Sequence, residues 1–127
     1  MAKGVKIFSY RGEFHGFFTF PGLNGLGRVS PVSMTVDREG NLYFLDQNNL
    51  RVLVYDKAGN FRFSFGKGGR GLGEFSALAD VAVDARGNIY VTDQRGVAVQ
   101  AFGPSGTFLM GWGRHTFERH QFSLPNG

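Results

Sequence analysis

Short stretches of alternating apolar and polar residues, separated by glycine-rich turns, run through the whole chain. Phe61-Arg62-Phe63-Ser64-Phe65 is the clearest: an aromatic ring at every second position is the period of a strand with one buried face. The same pattern predicts strands over Val32 to Asp37, Leu42 to Leu45, Arg51 to Tyr55 and Phe61 to Phe65. A second set follows over 78 to 84, Ile89 to Thr92, Val97 to Phe102 and Phe108 to Trp112. Asp37-Arg38-Glu39-Gly40-Asn41, Lys57-Ala58-Gly59-Asn60 and Pro104-Ser105-Gly106-Thr107 read as the turns between them, because Gly and Asn tolerate positive φ.

The two sets are copies of one unit. Val83-Asp84-Ala85-Arg86-Gly87-Asn88-Ile89-Tyr90-Val91-Thr92-Asp93 echoes Val36-Asp37-Arg38-Glu39-Gly40-Asn41-Leu42-Tyr43-Phe44-Leu45-Asp46 at an offset of 47 residues. The same offset carries Gln47 onto Gln94, Val52 onto Val99, Gly59 onto Gly106, Phe61 onto Phe108 and Gly66 onto Gly113. Backwards it carries Val52 onto Val5 and Phe61 onto Phe14, and at the far end it carries Phe75-Ser76 onto Phe122-Ser123. Four short antiparallel strands repeated every ~40–50 residues are the mark of a propeller blade. The expected fold is therefore all-β, a β-propeller segment of four-stranded antiparallel blades with an incomplete ring. Residues 1–20 hold a partial blade (third and fourth strands only), 32–66 and 78–113 one blade each, and 114–127 the lead-in to a further blade. A blade cannot bury both faces alone, so its neighbours must cover it.

These units resemble the NHL repeat family of β-propellers. Val36-Asp37, Gly40-Asn41, Leu42-Tyr43, Asp46, Asn49, Arg51-Val52, Tyr55-Asp56, Gly59 and Phe65-Gly66 follow that family's blade pattern. So do Val83-Asp84, Gly87-Asn88, Tyr90-Val91, Asp93, Val99, Phe102, Gly106 and Gly113. The later copy departs where Asn49 becomes Gly96 and Arg51 becomes Ala98, so a polar link that needs that Arg is expected to be missing there. The resemblance implies a ring of about six blades, for which roughly twice this length is needed. The chain is accordingly expected to be a piece of a larger ring, or one of several copies that associate through exposed blade faces and strand edges.

Composition narrows the function classes. Twenty Gly and 14 Phe among 127 residues fit short strands and tight turns. The absence of Cys excludes disulfides and thiolate metal sites. No stretch approaches the ~18 apolar residues of a membrane span, and no apolar run follows Lys3 and Lys6 to make a signal peptide, so the compartment stays open. A net charge of +4 is mild, and its scattered residues do not form the run of a nucleic-acid tail.

Candidate chemistry is sparse. Gly66-Lys67-Gly68-Gly69-Arg70-Gly71 formally matches a dinucleotide-binding glycine motif, but no helix is expected after it to meet a pyrophosphate, and it reads as an interblade loop. Asp46 and Asp93 end equivalent strands, where they could hold a metal in a central channel or accept backbone N–H bonds in the next turn; the second is the expectation. His115 and His120 stand five residues apart, within the loose range of zinc ligand pairs, but no Cys accompanies them in their Gly-, Arg- and Phe-rich loop, and with His15 they read as solvated side chains. No nucleophile motif is present, so no catalytic residue, cofactor or metal is expected, and an enzyme is not the first reading.

The first reading is a non-enzymatic binding or scaffold module that presents a propeller face to a protein or peptide, with self-association part of the same idea. A second is single-stranded RNA binding through a basic, aromatic face formed by Arg62, Lys67, Arg70, Trp112, Arg114 and Arg119. A third is a share in a metal-dependent propeller lyase or hydrolase. Nothing in the sequence names a small-molecule ligand. Phe61, Phe63, Phe65 and Phe108 are core candidates under every reading.

Overall fold

A computed structural model describes residues 5–8, 14–18, 20–21 and 28–114, with the backbone alone for 5–8, 14–18 and 114. Every element among the described residues is a strand. β1 (Val5–Phe8) pairs antiparallel with β2 (Phe14–Phe18), as the third and fourth strands of a partial blade would. Then β3 (Pro31–Val36), β4 (Leu42–Asp46), β5 (Arg51–Tyr55) and β6 (Phe61–Phe65) form an antiparallel meander. β7 (Lys67–Gly68) and β8 (Glu74–Phe75) make a two-residue parallel ribbon inside the glycine-rich loop, which sequence reasoning left without structure. β9 (Leu78–Val83), β10 (Ile89–Asp93), β11 (Val97–Phe102) and β12 (Phe108–Arg114) repeat the meander. The two blades stand side by side with β3 against β9. There Ser33 Oγ donates to Asp80 Oδ1 at 3.2 Å, joining residues one repeat apart. The described strands close no ring. Most of the lead-in expected over 114–127 lies outside the described residues.

The strand-to-strand turns repeat almost atom for atom. Gly40 N donates to Asp37 O, Gly59 N to Asp56 O, Gly87 N to Asp84 O and Gly106 N to Gly103 O, each at 2.9–3.1 Å. The four glycines share φ between 88° and 90°, a left-handed backbone that a side chain would strain. Asp37 secures its turn by accepting from the amides of Glu39 and Asn41, from Asn41 Nδ2 and from Tyr43 Oη. Asp84 does the same with Arg86, Asn88 and Tyr90, and Asp56 with Ala58 and Asn60. Burial pulls the Asp37 and Asp84 carboxyls up, yet these bonds together outweigh it and hold both below their usual range. Asp56 is lowered chiefly by the Asn60 amide. In return, burial and then the Asp37 bond push the Tyr43 phenol up to about 12.

The core lies between blades rather than within one. Tyr43, Leu45, Val52 and Val54 of the first blade meet Val81, Ile89, Val91 and Phe102 of the second, with Phe75 and Leu78 sealed in by the connection. On its other face the first blade packs Phe44, Leu53 and Tyr55 against Phe20. All five residues of β5 are consequently buried. One expectation is corrected here. Phe61, Phe63 and Phe65 do not share a face, because a bulge at Arg62 lets Tyr55 pair with Phe61 while Val54 pairs with Phe63. Phe61 therefore joins Tyr55 (centroids 5.5 Å apart) on one side, and Phe63 and Phe65 enter the interblade core on the other. Phe108 lies in the interblade core against Phe102, as its candidacy required.

Two predictions follow from this packing and these turns. Phe75 is fully buried between blades, so Phe75→Ala should cost about 3–5 kcal/mol of unfolding free energy. The half-buried Phe63 should cost less when cut to Ala; equal losses in urea titrations would contradict the assignment. The second concerns pH. The turn carboxylates have lower pKa values folded than unfolded, so their contribution is complete above the unfolded value of about 4 and is lost as pH falls through the folded values. Thermal midpoints should drop on acidification below about pH 4. Asp37→Asn with Asp84→Asn should lower the midpoint at neutral pH and flatten that acid limb, and an unaltered acid limb would show that these bonds do not control it.

Candidate functional site

In a meander, alternate turns fall on opposite edges. The turns after β3, β5, β9 and β11 lie on one edge of the blades; those after β4 and β10, with the loop after β6, lie on the other. This second edge is the loop face, and Asp46 and Asp93 shape it. Asp46 is fully buried. It accepts from the amides of Ser30 and Asn48, from Asn49 Nδ2 and, at 2.9 Å, from Arg51 Nε. Asp93 does the same work with backbone alone, accepting from the amides of Ser76, Ala77, Arg95 and Gly96 at 2.7–3.0 Å. The Arg link is indeed missing in the later copy, and the Gly96 amide helps replace it. Each Asp thus ties the segment entering its blade to the hairpin beside it. Burial raises both carboxyls, but the bonds outweigh it and keep them ionised, below the usual carboxylate range. Arg51 Nη2 is buried without a hydrogen-bond partner, a cost of about 1–3 kcal/mol.

The glycine-rich loop closes on itself. Gly69 N donates to Phe75 O, Gly71 N to Glu74 Oε1, and Gly73 N to Gln100 Oε1 at 2.6 Å. These three glycine amides are therefore spent on protein acceptors, and a strand follows in place of a helix. A side chain at Gly69 would collide with the Glu74 carboxylate, which fills the hollow of the loop. Gln100 is wholly buried; besides accepting from Gly73 it donates to Glu74 O at 2.8 Å, fastening the loop to β11. No sequence signal marked Gln100, because the equivalent position in the preceding blade is the apolar Leu53.

The structure separates the candidate basic residues. Lys67 and Arg70 are exposed on the loop face, with Lys67 Nζ 3.8 Å from Glu74 Oε2, a distance worth little at such exposure. Arg62 sits at the bulge beside the opposite edge, with its guanidinium 5.5 Å from the Phe63 ring centroid. Trp112 lies half-buried on β12 opposite Val99, and the Arg114 backbone pairs with Val97. Arg119, His115 and His120 lie outside the described residues, as does the side chain of His15. Arg28 and Arg95, not singled out from sequence, are exposed on the same loop face as Lys67 and Arg70. Repeat arithmetic could have found them, since Arg28 adjoins the Asp46 clasp and Arg95 follows Asp93. The face is thus lined with cations while Asp46 and Asp93 are turned inward. Among the described residues no three His, Cys, Asp or Glu converge on a metal site.

Comparison with known proteins agrees with this architecture. A crystal structure of a candidate exported protein from Bacteroides fragilis NCTC 9343 superposes with a TM-score of 0.57 at 27% sequence identity, over 71% of this chain. The chain spans 26% of that protein's length. No curated protein matches. A family model described as a 6-bladed beta-propeller, DUF5128, matches residues 24–116. The chain, with its two stacked four-stranded blades, belongs to that 6-bladed beta-propeller family.

Proposed function

We propose that this propeller segment, of NHL type in its blade pattern, is a non-enzymatic binding module whose loop face receives an acidic segment of a protein or peptide. The observation that carries this reading is the asymmetry of the loop face. Arg28, Lys67, Arg70 and Arg95 are exposed, whereas Asp46 and Asp93 are buried in hydrogen bonds. A rigid face with exposed cations attracts and orients an anionic partner. The internal use of the carboxylates and of the glycine-loop amides also favours binding over catalysis. Base stacking would require exposed rings among these cations, but Phe65 and Phe75 are drawn into the interblade core, which ranks RNA below an acidic peptide. The rest of the ring, supplied by a longer parent chain or by other copies, belongs to the same proposal.

A fluorescent Glu/Asp-rich peptide should bind the full chain with an affinity that falls as salt rises. Arg70→Ala with Arg95→Ala should weaken binding by about 5–10-fold, as expected for two exposed charges. Unchanged binding in the double variant would remove the loop face from consideration. Preferential binding of a single-stranded oligonucleotide of equal charge would replace the peptide reading with RNA. Light scattering on a sizing column should show a discrete oligomer if copies complete the ring themselves.

A further inference from the structure

The second blade departs from the first along its outermost strand. β6 and β12 each end a sheet, and among the described residues no strand pairs with their outer sides, so each leaves main-chain N–H and C=O groups open along one edge. Both carry the same bulge, between Val54 and Tyr55 in one pairing and between Ala101 and Phe102 in the other. The residues at the two edges differ. Arg62 and Ser64 are exposed on β6, and a cation there is the kind of guard that keeps edge strands from pairing. One repeat later stand Leu109 and Gly111. β12 is also the longer strand, seven residues against five, and no charged residue stands between Arg95 and Arg114.

A missing neighbour does not account for the exposure of Leu109. The first blade is covered on both faces, by the second blade on one and by Phe20 on the other, yet Arg62 is exposed. The position therefore looks outward in a blade that is fully flanked, and Leu109 holds it at 50% exposure. Leu72 adds a second apolar group. It is 58% exposed and lies across β12 at Gly111, where any side chain would meet Leu72 Cδ2 and Val97 Cγ1. Leu109 stands two residues before Gly111, about 7 Å along the strand. The first blade has no such pair in its sequence, since the residue one repeat before Leu72 is Gly25. β12 runs toward the loop face, and its last residue pairs with Val97, two residues after Arg95. Leu72 itself is two residues after Arg70. The apolar edge thus begins where the cationic face ends.

We propose that the outer edge of β12 takes the apolar part of the same partner as an added antiparallel strand. The partner is then an extended segment with an acidic block followed by alternating apolar residues. This inference rests on the loop-face reading and names the partner more closely. Charge complementarity sets the order: the acidic block lies at Arg70 and Arg95, and an uncharged stretch lies along the uncharged strand. Main-chain hydrogen bonds hold the added strand, while Leu72 and Leu109 meet its apolar side chains. Antiparallel pairing is the geometry of every blade strand here and the more stable one per residue. Such a strand runs away from the loop face, so its acidic block is N-terminal.

Three labelled peptides test this on the full chain: a Glu/Asp-rich block alone, the same block followed by alternating Val and Thr, and that joined peptide with alternate amides of its Val/Thr part N-methylated. The joined peptide should bind about tenfold more tightly than the acidic block. N-methylation should erase the gain, and so should Leu109→Arg with Leu72→Ser. The added Arg attracts the acidic block, so a loss in that variant is not electrostatic. Circular dichroism checks that the variant keeps its strands. Equal binding of the joined peptide and the acidic block, both weakened by Arg70→Ala with Arg95→Ala, would overturn the added strand and leave the loop face standing. No salt-dependent binding of any peptide would overturn both. A gain that survives N-methylation would overturn strand pairing in favour of plain apolar contact. A sizing-column mass that falls in Leu109→Arg without peptide would overturn it too, by giving the edge to a second copy.

Discussion

A strand buried on both sides is the constraint on which this molecule depends. β5 has no solvent face: Val52 and Val54 look into one seam, Leu53 and Tyr55 into the other. A single sheet of that composition would expose one apolar surface to water whichever way it turned. Stability therefore resides in the seams, and each blade contributes half of two cores in place of one core of its own. The interblade loops gain importance for the same reason. Phe75 and Leu78, which belong to a connection and to the start of a strand, are as deeply placed as the sheet residues they touch.

The polar scaffold keeps its geometry while changing its chemistry. Asp46 and Asp93 hold equivalent corners, one with Asn49 and Arg51 side chains, the other with four main-chain amides. A side chain at Gly96 would approach the Asp93 carboxylate at 3.2 Å. The loss of Asn at that position thus belongs with the closer backbone grip. Divergence between the copies here exchanges donors around a fixed acceptor.

Much of the fold was legible because local and global signals agree. The Asp-x-x-Gly-Asn turns, the 47-residue offset and the strand runs each point to the same meander, and the observed strands differ from the expected ones by a residue or two. The bulge at Arg62 was not legible, because a two-residue period assumes that no residue is skipped. The β7–β8 ribbon is too short to leave a pattern. The candidate face was half legible. Lys67 and Arg70 were placed correctly on a loop, but Arg62 lies by the other edge, and Arg28 and Arg95 become neighbours of that face only through the clasps at Asp46 and Asp93. Gln100 was invisible because its partners come from a loop 26 and 27 residues earlier.

Gln100 also bears on how a chain of repeated units avoids assembling in the wrong order. Apolar seams are interchangeable: Leu53 would tolerate many neighbours of suitable volume. A wholly buried amide is not, because any blade that failed to offer the Gly73 amide and the Glu74 carbonyl would leave two polar groups stranded. The glycine-rich loop and β11 consequently act as lock and key for this one seam. They penalise misthreaded or swapped arrangements that the hydrophobic repeat alone would accept.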